Sequence, residues 1–140
     1  MAKKNQKVIS KISDIPESYQ RYLDEIHNIS KKKKGGWVTN KEIAENLQVE
    51  PASVSGMLEK LKKKNLINWE PRKAIRLTEQ GKRIAKQLSE THILLQEFFT
   101  KVLKIDDLEV IENLSCEIEH HITRDVKDSL EEFLSKYLER

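Results

Sequence analysis

Three residues near the acidic end of the chain have the types and the spacing of metal ligands. Cys116, Glu119 and His120 stand at positions i, i+3 and i+4, and on an α-helix these positions share one face. A thiolate, a carboxylate and an imidazole on that face could bind one transition-metal ion. His121 points about 100° away from His120 on a helix, so we leave it out of the predicted site.

A second segment, residues 49–64, has the features of a helix that enters DNA. Pro51 suits the first position of a helix, and small residues follow where a helix must approach phosphates and base edges closely. The DNA-binding residues predicted on this helix are Pro51, Ala52, Ser53, Ser55, Gly56 and Lys60. Arg72 and Lys73, at the tip of a following hairpin, are predicted to contact phosphates too. Metal ligands downstream of a DNA-binding helix suggest a metal-responsive transcription regulator.

Charge is distributed unevenly along the 140 residues, although the formal net charge is only +3. Residues 1–90 contain 20 lysines and arginines against 11 acidic residues, whereas residues 91–140 contain 6 against 12. The first part therefore suits a polyanion such as double-stranded DNA, and the second part suits metal cations or a protein partner. The run Lys31 to Lys34 could add further phosphate contacts.

The composition also limits the compartment and the class of protein. The single cysteine excludes an internal disulfide, and no apolar stretch is long enough for a signal peptide or a transmembrane helix. We therefore expect a cytoplasmic protein with no membrane partner, in which the thiol stays reduced. The sequence has no His-Glu-x-x-His motif, glycine-rich phosphate loop or nucleophile elbow, so we do not expect an enzyme.

Hydrophobic spacing predicts a mainly α-helical chain with one small β-hairpin. Residues 1–15 are Lys-rich and lack apolar periodicity, so a flexible basic arm is expected there. Helices are predicted over residues 16–30, 41–47 and 51–65, and a hairpin follows with its turn at residues 70–73. This order is that of a winged helix-turn-helix, which we place over residues 16–78.

The rest of the chain predicts a helical domain over residues 79–140, with metal-binding and dimerisation roles. A long helix is predicted over residues 78–103 and another over residues 106–122. A final helix carries apolar residues at helical spacing from Leu130 to Leu138. These apolar stripes exceed what so short a chain needs for its own core, so we expect a homodimer.

Several short segments together resemble the metal-dependent repressors of the diphtheria toxin repressor family, which includes the manganese transport regulators. These segments are Tyr22-Leu23-Asp24-Glu25-Ile26, Ile43-Ala44-Glu45-Asn46-Leu47, Ser53-Val54-Ser55, Leu77-Thr78-Glu79-Gln80-Gly81, His92-Ile93-Leu94-Leu95 and Cys116-Glu117-Ile118-Glu119-His120-His121. The resemblance covers about residues 16–138. It implies a homodimeric repressor in which bound divalent metal ties the first helix to the later helices and favours binding to a pseudo-palindromic operator.

The resemblance also implies a set of metal ligands. Cys116, Glu119 and His120 match the core ligands of the family. His92 matches its ligand on the long linking helix, and Asp24 matches a helix-one carboxylate ligand of the manganese branch. We therefore predict that these five residues bind metal.

Three positions depart from the ligands of the family. Arg21 stands where the family has a methionine or an aspartate, and a guanidinium cannot bind metal. Gln96 and Glu112 stand where some members have a glutamate and a histidine, so a second full site is not predicted. A salt bridge from Arg21 to Glu119 or Asp24 would replace the metal. This leaves open a winged-helix regulator that is metal-independent or responds to a small organic ligand.

The identity of the metal is predicted from the softness of the donors. A cysteine in place of a glutamate at position 116 favours Fe(II), or Co(II), Ni(II) or Zn(II), over Mn(II). Cellular availability makes Fe(II) the first choice, with the other four ions as alternatives. Because the sequence ends at Arg140, we expect a short form without the C-terminal barrel domain that some members carry.

Overall fold

The structure is a computed structural model, and it describes residues 15–140. The predicted basic arm therefore lies outside the described residues, apart from Ile15, which is buried. The described chain forms two compact units, of which the first covers residues 16–86 and the second includes residues 87–140. Within residues 15–140, no helix combines the length and the apolar character needed to cross a membrane.

The first unit is a winged helix-turn-helix, as the sequence predicts. Its elements are α1 (Glu17–Lys31), α2 (Asn40–Leu47), α3 (Pro51–Lys63), β1 (Ile67–Asn68) and β2 (Arg76–Leu77). The two strands are antiparallel, with Ile67 opposite Leu77. The wing is thus a short hairpin that follows the third helix directly.

Local capping signals fix the helices of this unit. The Thr39 hydroxyl accepts the Glu42 backbone N–H at 3.1 Å, and the Glu42 carboxylate accepts the Thr39 N–H at 2.9 Å, so a capping box starts α2. Gln48 adopts the left-handed conformation, with φ 58°, and ends that helix. Pro51 is then the first residue of α3.

One strand pairing in this unit was not predicted. Val38 and Ile75 form an isolated antiparallel bridge, with N–H to O distances of 2.9 Å and 2.7 Å. Both side chains are fully buried. The bridge therefore attaches the segment before α2 to the wing.

The second unit is helical. A long helix, α4 (Glu79–Glu97), begins in the first unit and continues into the second, where a π-helical turn (Phe98–Val102), α5 (Leu108–Glu119) and α6 (Arg124–Tyr137) follow. Leu95, Phe99 and Ile111 form a buried core here. The mainly α fold with one hairpin is confirmed.

Two helix ends in this unit differ from the prediction. The α-helical part of α4 ends at Glu97 because the chain continues in a π turn to Val102. The next helix, α5, ends at Glu119 and not at Ile122, since the His121 N–H already bonds to the Ile118 carbonyl at 2.9 Å. The Thr123 hydroxyl then accepts the Val126 N–H and starts α6.

Replacing Gly81 by alanine is expected to destabilise the protein. A Cβ at this buried position would lie 2.2 Å from the Leu66 carbonyl oxygen, so α4 or the start of the wing must shift, at a cost of about 1–3 kcal/mol. Gly56→Ala is the matched control, because a Cβ there meets no atom within 4 Å. It should stabilise the fold by about 0.4–1 kcal/mol. Urea unfolding measures both free energies, and equal effects of the two substitutions would contradict this packing.

Candidate metal centre and nucleic-acid interface

A stripe of potential metal ligands runs along α5. Glu112, Cys116 and Glu119 stand at i, i+4 and i+7, so successive turns present them on one face. Glu119 is buried, with 3% of its surface exposed, whereas Cys116 is half-buried and Glu112 is exposed. The stripe therefore runs from the protein surface into the interior of the second unit.

His92 on α4 lies against this stripe and contacts both carboxylates. Its Nδ1 is 2.6 Å from Oε1 of Glu119, and its Nε2 is 3.1 Å from Oε1 of Glu112. The Cys116 thiol donates to Oε2 of Glu112 at 3.4 Å. The Gln96 amide donates to Oε1 of Glu112 at 2.8 Å. These contacts join α4 and α5 through polar side chains.

The carboxylates give the cluster a negative character that His92 partly balances. The hydrogen bond with Glu119 is the main cause that raises the pKa of His92 to about 9; burial opposes it, and Glu112 adds to it. Burial acts to raise the pKa of Glu112, but the hydrogen bonds from His92, Cys116 and Gln96 outweigh it and lower that pKa. A positive charge is thus stabilised between the two carboxylates.

The donor set fits a transition-metal ion. Among residues 15–140, the potential ligand atoms of His92, Glu112 and Cys116 all lie within 4.8 Å of one another. An imidazole, a carboxylate and a thiolate are ligands that Fe(II), Co(II) and Zn(II) accept together. Glu119, which is hydrogen-bonded to the same imidazole, could provide a further carboxylate ligand for the ion. A divalent cation would therefore meet the charge and the ligand types that it requires.

The remaining predicted ligands have different surroundings. His120 is the residue directly after α5, is buried, and has its Nε2 3.7 Å from Oε2 of Glu119. Asp24 is half-buried on α1, in the first unit. On the same helix the Arg21 guanidinium pairs with the Glu17 carboxylate, with Nη2 at 2.5 Å from Oε2. The roles of Asp24 and His120 as ligands stay predictions.

Sequence reasoning missed one member of the cluster. The structure brings the predicted residues His92, Cys116 and Glu119 together, but it also adds Glu112, which the ligand prediction had left out. The signal was present, because Glu112 stands one helical turn before Cys116 on the same face. Glu112 was not predicted as a ligand because some family members have a histidine at this position.

The predicted DNA-binding helix exposes the side that was expected. Val54, Leu58 and Leu61 are fully buried on one side of α3, which leaves the opposite side to solvent. The predicted residues that are exposed on this helix are Pro51, Ala52, Ser53, Gly56 and Lys60. Ser55 is half-buried, and its hydroxyl accepts a hydrogen bond from the Asn40 amide at 3.0 Å. Asn40 thus connects the start of α2 to α3.

A groove of about 740 Å³ separates α3 from the wing. Ser55, Gly56 and Glu59 line its α3 side, and Arg72 and Lys73 line its wing side. Both wing residues are exposed, and Arg72 takes a left-handed conformation at the tip, with φ 68°. The groove therefore has two cations on the wing side, whereas the α3 side carries a serine, a glycine and the Glu59 carboxylate.

Comparison with known proteins agrees with this geometry. Residues 14–75 match the family model described as the iron dependent repressor, N-terminal DNA binding domain, and residues 78–139 match the model of its metal binding and dimerisation domain. The HTH-type transcriptional regulator MntR of Shouchella clausii (strain KSM-K16) is 33% identical over 122 residues, which cover 87% of this chain and 82% of that protein.

Solved structures give the same result. The manganese regulator SloR has a TM-score of 0.68 and 26% identity, and the match covers 84% of this chain and 53% of that chain. ScaR with bound Zn²⁺ has a TM-score of 0.70 and the same identity and coverage. The chain thus spans about half the length of these two structures. Its sequence, its two domains and its fold place it in the iron-dependent repressor family, whose members are metal-binding, dimerising transcriptional regulators that bind DNA and are not enzymes.

Proposed function

We propose that this chain is a transcriptional repressor whose binding to a pseudo-palindromic operator is promoted by a divalent transition metal. The observation that carries the proposal is the cluster in which His92 and Cys116 meet the carboxylates of Glu112 and Glu119. Such a cluster attracts a cation to the second unit, while the groove between α3 and the wing attracts phosphates to the first. The DNA partner and the free thiol both suit the cytoplasm.

We infer that Cys116, Glu119, His120, His92 and Asp24 hold the metal, with Glu112 as an added ligand. Bound metal would supply a positive charge shared by ligands on several helices. If Asp24 on α1 joins ligands on α4 and α5, metal binding restrains the two units and raises the fraction of molecules that are competent to bind DNA.

Fe(II) is our first choice of metal. The Cys116 thiolate is a soft ligand, and softness favours Fe(II), Co(II), Ni(II) or Zn(II) over Mn(II). Glu112 and Glu119 add hard oxygen ligands, which Mn(II) accepts as well, and the similar protein SloR is described as a manganese regulator. Mn(II) is therefore the principal competitor.

An anaerobic metal titration tests this proposal. DNA binding is recorded by fluorescence anisotropy while Fe(II), Mn(II), Co(II), Ni(II) or Zn(II) is added to chelated protein. We expect Fe(II) to promote binding at a lower free concentration than Mn(II). The variant Cys116→Glu should reverse that order, because a hard carboxylate replaces a soft thiolate. If Cys116→Glu leaves the order unchanged, Cys116 is not a ligand.

The ion pair between Arg21 and Glu17 on α1 favours a second candidate function, that of a metal-independent regulator. Arg21 occupies a position where the family has a ligand, and a permanent cation there opposes metal binding to the same helix. A constitutive winged-helix regulator would bind its operator equally well after exhaustive chelation. The same titration therefore distinguishes the two candidates before any metal is added.

We also propose that dimers are formed by the apolar side chains that the second unit exposes. Exposed fractions are 77% for Leu108, 40% for Leu114, 45% for Phe133 and 50% for Tyr137. The Phe133 and Tyr137 rings stack with their centroids 5.6 Å apart. Side chains of this size are normally covered when they form a continuous patch.

Sedimentation velocity at micromolar concentration is expected to show a dimer. The double variant Leu114→Glu/Phe133→Glu should raise the dissociation constant at least about tenfold, because two carboxylates would be buried in the interface. Asn113→Glu, which adds one carboxylate at an exposed position next to Leu114, is the control and should leave the dimer intact. A wild-type monomer, with or without metal, would refute the proposed dimer.

A further inference from the structure

The first unit contains a second cavity, which belongs neither to the metal cluster nor to the groove beside α3. Its volume is about 520 Å³, and it lies among the end of α1, the Gly35-Gly36 turn, β2 and the first turns of α4. It shares no lining residue with the groove between α3 and the wing. A volume of this size accommodates a small ligand or part of a larger one.

Basic side chains from three elements line this cavity. Lys31 comes from the last turn of α1, Arg76 from β2, and Lys82 and Lys86 from α4. No acidic residue is among its lining residues. Lys82 forms an ion pair with Glu79 at 3.7 Å, and both of these side chains are at least half exposed. Water screens such a pair, so it neutralises little of the positive charge.

Arg76, which lines this cavity, also lies close to the Trp37 ring. Its guanidinium carbon lies 5.0 Å from the centre of the Trp37 ring, a distance typical of a cation–π contact. A guanidinium in a cation–π contact keeps N–H groups that can still donate to an acceptor. A planar guanidinium is well suited to two parallel hydrogen bonds with a phosphate.

His27 provides a second and independent indication of a ligand. It lines the same cavity, and its Nδ1 is buried without a hydrogen-bond partner among the described residues. A buried ring nitrogen normally has a partner, since leaving it unpaired costs about 1–3 kcal/mol. Burial is the main cause that lowers the pKa of His27, and the charges of Lys31 and Lys82 add to it.

The rim of the cavity allows a ligand to approach the backbone. Gly35 and Gly36 both have positive φ values, 85° and 72°, and neither residue carries a side chain. A bulky anion can therefore come close to the main chain of this turn.

We propose that this cavity binds a phosphate group. Four cations from three elements, with an imidazole beside them and no acidic residue in the lining, form a site that a tetrahedral anion with several acceptor oxygens would satisfy. The phosphate comes either from a small phosphorylated molecule or from the DNA backbone outside the recognition groove. In both cases Lys31, Arg76, Lys82 and Lys86 are its ligands, and the metal cluster plays no part.

Inorganic phosphate is the probe for the first source. The full chain, without DNA, is titrated with phosphate while NMR records the Gly35 and Gly36 amides and the His27 ring. We expect saturable shifts confined to these groups. Lys31→Gln/Lys86→Gln should weaken the apparent affinity at least about tenfold, because each charged hydrogen bond contributes roughly 1.5–3 kcal/mol. The control Lys101→Gln/Lys136→Gln removes the same charge from exposed positions of the second unit and should not weaken it.

Duplex DNA is the probe for the second source. If DNA phosphate occupies the cavity, the Gly35 and Gly36 amides shift on adding DNA, and Lys31→Gln/Lys86→Gln lowers the salt dependence of DNA affinity by about 0.9 per lost contact. Phosphate binding with unchanged DNA affinity identifies a free ligand. If neither probe moves these amides, or if the control pair weakens binding as much as the cavity pair, the cavity is not a phosphate site.

Discussion

Replacing Glu119 and His120 together by alanine is expected to abolish the stimulation of DNA binding by metal. Glu119 is 3% exposed and 2.6 Å from the His92 ring, and His120 is buried beside it. The double variant removes two of the proposed ligands, the Glu119 carboxylate and the His120 imidazole beside it. Loss of two ligands typically removes most of the affinity for a transition metal. The metal response measured by anisotropy should therefore disappear.

The same helix offers a matched control for this experiment. Glu117→Ala/His121→Ala removes the same two residue types from exposed positions and should leave the metal response unchanged. Binding to nonspecific DNA should be retained by both double variants, because that binding depends on the first unit. If Glu119→Ala/His120→Ala responds to metal like the wild type, the cluster on α4 and α5 is not the regulatory site.

Replacing Lys60, Arg72 and Lys73 by alanine is expected to weaken DNA binding strongly and to reduce its dependence on salt. All three side chains are exposed, and the latter two line the groove opposite α3. Each neutralised phosphate adds about −0.9 to the slope of log affinity against log salt. The triple variant should therefore flatten the slope by about 2.7 per subunit. Titrations from low to physiological salt measure this change directly.

The control is the removal of three exposed basic residues from the acidic half of the chain. Lys101, Arg124 and Lys136 are exposed in the second unit, and replacing them by alanine lowers the net charge equally. An equal loss of slope in this variant would mean that total charge, and not the groove, determines affinity. An unchanged slope in the groove variant would mean that DNA binds elsewhere.

Much of the fold could be predicted because short-range signals define its helices. The first turn of a helix has backbone N–H groups without a partner in the helix. The side chains of Thr39 and Asp107 accept such N–H groups at the starts of α2 and α5. Pro51, at the start of α3, has no N–H group to pair. Burial then follows the apolar spacing, as in Val54, Leu58 and Leu61 of α3. Helix caps and apolar spacing depend on residues that are close in sequence, so a single sequence is sufficient to predict them.

What could not be predicted depends on contacts between distant segments. The bridge between Val38 and Ile75 joins residues far apart in sequence. Ile75 lies in the predicted hairpin, but no local pattern around Val38 indicates a strand. Glu112 lies on the predicted face of α5, but its contact with His92 depends on how α4 and α5 pack. Helical spacing predicted the face of α5, but not the residue opposite it.

The exposed face of α3 also affects how the operator sequences that this protein binds can diverge. Ala52 and Gly56 stand one turn apart on that face and offer neither donors nor acceptors from a side chain. In the proposed complex, in which α3 enters the major groove, base pairs opposite these two residues would be selected through groove width and ease of bending and not through their edges. The base sequence of an operator could therefore change at those positions without loss of binding. Promoters controlled by this protein should differ in sequence there and be more similar in DNA flexibility than in sequence.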